Sequence, residues 1–219
     1  MIKKGTHNSV VQGVLWMVFA TGLQAIASGL VRKLSSNLGV FQLVFFFSLI
    51  AAILLLPMAM RLAPNPFKSV RNRLGLYSAR GILSFVGMLT SFYAYSVMDI
   101  ANVQSLLFTL PLFTILLASL LLKEFVGFRG WLCCVIGFLG ALIIIRPGVI
   151  PLNPGAFAAL LSALAFAAAN ITIRKLGRTE SPIMITLVSN MIVVPLAGFP
   201  AALNWVQPEW HQLPWIPTR

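Results

Sequence analysis

Few side chains in this 219-residue sequence are equipped for covalent chemistry. It has no paired Ser/His, no paired Asp, no HExxH and no GxxxxGK[ST] phosphate loop, so no catalytic residue or nucleotide cofactor is expected. Cys133 and Cys134 are adjacent inside an apolar run and read as small buried hydrophobes, and His7 and His211 in flanking segments suggest no metal site. What remains is recognition by polar groups inside long apolar segments, where a lipid-facing polar group is costly and a helix- or cavity-facing one is not. Gln24, Tyr95, Gln104 and Asn170 are the candidates for lining a substrate cavity, with Arg80 at its cytoplasmic mouth. Interhelical hydrogen bonding would explain each of them equally well.

Arg80 stands about six residues inside an apolar run, where a charge costs ~2.5–3.5 kcal/mol on insertion scales unless it is paired or snorkels. It reads either as a cation holding a substrate carboxylate or as an interfacial arginine reaching headgroups. Pro111 falls mid-run, where it frees a carbonyl and kinks the helix as a hinge or a tolerated bend. Thr109 and Thr114 are near enough to answer the freed groups, and Gln104, seven residues before Pro111, shares its face. Glu124 reads as a local ion pair at a turn, and Asp99 as the cap of the helix that follows it. No acid lies at mid-membrane depth, which weakens a proton relay built on carboxylates.

The elements that must position these residues are membrane spans. The chain is 59% hydrophobic and 9% charged, far from the ~25% charged of a soluble domain. Ile100 to Leu122 is an uncharged run, long enough at ~1.5 Å per residue to cross a ~30 Å hydrocarbon core. Seven spans follow: about 10–31, 40–60, 74–97, 100–122, 126–145, 155–173 and 183–203. The first, although basic and then apolar at its start, lacks a small-residue cleavage site and reads as uncleaved. The formal charge of +12 does not point to nucleic acid, because the basic residues sit in short gaps between spans. Eleven Lys and Arg lie on the side of the N-terminus and four, Arg32, Lys33, Arg146 and Arg219, on the other. That asymmetry predicts a cytoplasmic N-terminus. Trp205, Trp210 and Trp215 read as interfacial anchors. Gly130, Gly137 and Gly140, like the Ala-rich sixth span, read as packing surfaces.

The segment GVLWMVFATGLQAIASGLVRKL, beginning at Gly13, resembles GAFAALLSALAFAAANITIRKL, beginning at Gly155, at a constant offset of 142 residues. An odd number of intervening spans turns the second copy upside down, a device of secondary transporters. A five-span unit predicts ten spans, so residues 10–148 read as one repeat and 153–219 as an incomplete second. The expectation is a chain truncated after its seventh span, or one completed by a second copy or a complementary chain.

The stretch from Arg80 to Gly148 resembles the third to fifth spans of EamA-type members of the drug/metabolite transporter superfamily. The likeness rests on Arg80-Gly81, Phe92-Tyr93-Ala94, Ala101, Pro111-Leu112, Glu124, Trp131, Gly137-Phe138-Leu139-Gly140 and Arg146-Pro147-Gly148. It extends to Ser28-Gly29-Leu30 and Arg32-Lys33-Leu34. The resemblance implies an all-α integral membrane carrier of the bacterial inner membrane, with ten helices in two inverted five-helix (5+5) repeats. A small-molecule substrate, an amino acid, nucleoside-like compound or related metabolite, would cross by alternating access. The lipid bilayer is the other partner. The chain departs from the pattern at Phe47, where close relatives carry an arginine, and at Lys123, where glycine is usual. The alternative is a non-transporting subunit or remnant that packs with other membrane helices.

Overall fold

In lipid, a peptide group has no partner except its own helix or a closed barrel, and here every apolar run becomes helix. The computed structural model describes residues 5–35, 37–62, 70, 73–122, 127–145 and 154–207, with backbone alone at 5–10, 62, 129, 133–134 and 141–145. The long helices are α1 (Gly5–Leu34), α2 (Val40–Leu62), α3 (Leu74–Val97), α4 (Ile100–Leu107), α5 (Leu110–Leu122), α6 (Phe128–Ile145), α7 (Pro154–Leu176) and α8 (Pro182–Leu203). Among the described residues no strand occurs. Five segments are long and apolar enough to cross a membrane: Val11–Leu34, Val40–Arg61, Ile100–Leu122, Pro154–Leu176 and Pro182–Leu203.

α3 does not reach that apolarity, for a physical reason. It is the hub of the bundle, packed along α7 and α8 and touching α1, α2 and α4. A helix enclosed by other helices can carry Tyr77, Arg80, Ser84, Ser91 and Tyr95 without showing them all to lipid. Glycines let its neighbours in. A Cβ on Gly81 would stand 2.6 Å from Ile192 of α8, and one on Gly87 would stand 2.8 Å from Phe166 of α7. Ser162, fully buried in α7, donates to the Gly87 carbonyl at 2.8 Å and closes that seam.

Two apolar clusters mark the two ends of the bundle. One gathers Val31, Leu43, Val44, Phe92, Tyr95, Met98, Val103, Ala156 and Val193. The other gathers Ala59, Val70, Tyr77, Leu176, Met184, Ile185 and Val188. Arg61, Arg73, Arg174, Lys175 and Arg178 adjoin the second in sequence, while Arg32 and Lys33 adjoin the first. The charge asymmetry read along the chain is therefore an asymmetry in space.

α7 runs from the first cluster to the second, since Gly155 abuts Val97 and Met98 while Leu176 packs with Tyr77. α1 runs the other way, because its C-terminal Arg32 reaches Tyr95 and Met98. The two similar segments are thus antiparallel. They differ in surroundings: half of the α7 span is buried, against 11% of the α1 span. Between residues 11 and 26 every α1 side chain is exposed.

α8 starts on a Ser181 cap that accepts from the Met184 amide at 3.2 Å, with Pro182 at its first position. Its far end is held to α2 by Gln42, whose amide donates to Val206 O at 2.7 Å and accepts from Val206 N at 3.3 Å. Trp205 packs edge-on against Phe46. Trp210 and Trp215, like Glu124 and Arg146, lie outside the described residues. The glycines expected to make α6 a packing surface have open space: nothing lies within 4 Å of a Cβ built on Gly137 or Gly140. Among the described residues α6 touches only α4 and α5 closely.

Candidate functional site

The expected fourth span is two helices. Pro111 has no N–H to return to Leu107, and the helix ends at Leu107 and restarts at Leu110. Phe108 and Thr109 form the break, with Phe108 turned outward and Thr109 buried. Thr109 bonds the Leu106 carbonyl twice, through its amide at 3.0 Å and its hydroxyl at 2.7 Å. Thr114 instead bonds Leu110 O at 2.9 Å inside the second segment, so it does not answer the break.

The segment before the break carries Gln104 to α1 and α3. Its Nε2 donates to Tyr95 Oη at 2.9 Å and to Ser28 Oγ at 3.3 Å. Ser28 Oγ lies 3.5 Å from Tyr95 Oη and 2.9 Å from Gln24 O. Ser28 and Tyr95 are almost wholly buried. Three helices therefore meet on a cluster of neutral hydrogen-bonding groups able to donate and accept.

One turn further out, Arg32 closes the same corner. Its Nη1 donates to Tyr95 O at 3.2 Å and also to Met98 O, and its Nη2 pairs with Asp99 Oδ1 at 3.0 Å. Tyr95 O and Met98 O lie at the C-terminus of α3, where a cation is favoured. Asp99 occupies the N-cap position of α4 but its side chain makes no capping bond. The carboxylate expected to cap the helix pairs across the bundle instead.

Of the five expected cavity residues, Tyr95 and Gln104 are in direct contact. Gln24 is on the same stripe of α1 as Ser28 and Arg32, four residues apart, but its side chain is exposed where α1 leaves its neighbours. Arg80 lies fifteen residues before Tyr95 on α3, about 22 Å along a helix, so one small molecule does not touch both. Its Nε is buried with no hydrogen-bond partner among the described residues. Asn170 is half-buried on α7, and no hydrogen bond joins it to the Tyr95 cluster among the described residues. Ser28 and Arg32 escaped sequence reasoning. Their signal was the Gln24, Ser28, Arg32 spacing, a polar stripe on an otherwise apolar helix.

Residues 11–146 match the model of the EamA-like transporter family. The S-adenosylmethionine uptake transporter of Rickettsia prowazekii is 27% identical over 202 residues, 92% of this chain and 68% of that protein. The riboflavin transporter of Vibrio cholerae is 27% identical over 211 residues, covering 94% and 69%. The pseudopaline exporter CntI of Pseudomonas aeruginosa is 28% identical over 206 residues, covering 92% and 72%. No solved structure matches the chain. The relatives are named as transporters or exporters rather than enzymes. With a family match over more than half its length and several apolar helices of spanning length, this multi-pass membrane protein belongs to the EamA-like transporter family.

Proposed function

We propose that the chain is a secondary transporter that moves a small metabolite across the bacterial inner membrane by alternating access. The observation that carries the reading is the antiparallel course of α1 and α7, two segments of similar sequence at a constant offset. Inverted repeats give two related half-structures whose rocking exposes one site to either side in turn. The same offset matches Ser28 with Asn170 and Arg32 with Arg174, so polar positions recur as well as apolar ones. The unequal burial of α1 and α7 favours a 5+5 architecture in which α1 gains the cover that α3 gives α7. In that architecture residues 10–148 form the first repeat and 153–219 part of the second. Seven spans, an N-terminus in the cytoplasm and completion by further helices or a second copy belong to this reading.

The substrate path runs between the Ser28–Tyr95–Gln104 corner and Arg80, with Gln24 and Asn170 beside it and the Pro111 break as its hinge. A discontinuous span beside a polar cluster supports a path there, because irregular backbone is tolerated at depth only where protein or a cavity surrounds it, and transporter sites are typically built on such helices. The names of the relatives suggest S-adenosylmethionine, riboflavin and pseudopaline as first candidates. Uptake of these labelled compounds into proteoliposomes holding the full chain tests the reading. Time-dependent accumulation that Q104A and R80A reduce supports it. Accumulation no faster than in empty liposomes for any substrate sinks it in favour of a non-transporting subunit.

A further inference from the structure

We propose that Arg80 is an anion site for the carboxylate of the transported metabolite, with Asn170 as a second contact. The inference rests on the transporter reading above and adds a substrate class to it. Arg80 is seven residues from Gly87, which an α-helix converts to about 20° of rotation. At Gly87 the helix meets α7 directly, through Phe166 and the Ser162 hydrogen bond. Arg80 therefore lies on the face of α3 that meets α7, while Gly81 turns toward Ile192 of α8.

The helix register brings Asn170 to the same place. α3 and α7 are antiparallel, with Phe166 opposite Gly87 and Leu176 packed with Tyr77. Asn170 is one turn beyond Phe166, which sets it within about one turn of the level of Arg80. A guanidinium and a carboxamide thus share one seam. Tyr77, one turn toward the basic end, lies within electrostatic reach of Glu180 and Arg73. Arg80 has no ion pair among the described residues, and its Nε has no hydrogen-bond partner there. A guanidinium offers a planar fork of donors that matches a carboxylate, and a desolvated one is uncompensated until such an anion arrives.

The test uses the full chain in nanodiscs of zwitterionic lipid, with L-methionine and S-adenosylmethionine each compared with its decarboxylated form by calorimetry. The acid of at least one pair should bind at least ten-fold tighter than its decarboxylated form. R80Q should erase that difference and R80K should keep part of it. Equal binding within both pairs, a difference that survives R80Q, or no binding by any probe would overturn the assignment. So would a melting temperature that anionic phosphatidylglycerol raises in the wild type but not in R80Q, which would mark a headgroup site. Non-additive loss of stability in R80Q and E180Q would also overturn it, by making Arg80 half of a structural pair with the acid that acts on Tyr77. Carboxylate selectivity without liposome uptake would defeat the carrier reading and leave the anion site standing. Uptake without carboxylate preference would do the reverse.

Discussion

Arg32 and Tyr95 show how single side chains hold this molecule at one corner. Arg32 makes a charge pair and two bonds to backbone carbonyls, whereas Asp99 makes only the pair and is 76% exposed. An exposed pair contributes about 0–1 kcal/mol, while carbonyls left without their donor cost more. R32A should therefore destabilise the chain more than D99N, read as melting temperatures of the two variants in the same detergent. Y95F removes the hydroxyl that accepts from Gln104 and should cost about 1 kcal/mol. Y95F combined with Q104A should cost less than the two changes summed, since both delete one bond. Tyr95 and Gln104 were legible as a site because polar groups stand out in apolar helices. Their contact with Ser28 was not, because a serine in a membrane helix usually bonds its own backbone, as Ser84 and Ser105 do here. That Arg80 lies far from Tyr95 follows from residue spacing on one helix, yet only the packing shows that their neighbours differ as well.

At the scale of elements, α3 depends on close approach. Adding a methyl at Gly87 or Gly81 forces Phe166 or Ile192 aside, and overpacking of this kind typically costs about 1–3 kcal/mol. G87A and G81A should lower the melting temperature, while G22A, with nothing within 4 Å of its Cβ, should not. Both outcomes are readable by thermal unfolding in detergent. P111A restores an amide that can bond Leu107 and should join α4 to α5. Hydrogen exchange should slow at residues 108–111, and uptake should fall if the break is the hinge. The helices themselves were readable from apolar run length, and the break from its proline. Less visible was which helices touch. α3 falls short of the hydropathy of a spanning segment, and that shortfall is a sequence sign of its enclosed place. The small residues of α6 gave the opposite lesson, since a smooth surface permits packing without specifying a partner.

At the scale of the whole molecule, the proposed direction of each span rests on where the basic residues fall. Single cysteines at Gln207 and Arg61, in a background lacking Cys133 and Cys134, should be labelled by an impermeant maleimide from opposite sides of the membrane. Labelling of both from the same side would undo the span count. The antiparallel course of the two similar segments could be suspected from a 142-residue offset, because both end on the same Arg-Lys-Leu run. The different surroundings of those copies could not, because similar sequences carry no record of what lies beside them. Among the described residues α1 is hydrogen-bonded to its neighbours near Ser28 and Arg32, at one extremity of a thirty-residue rod. A rod held that way is a lever on a pivot: a few degrees of swing would leave the Arg32 corner still while the opposite tip sweeps through several ångströms.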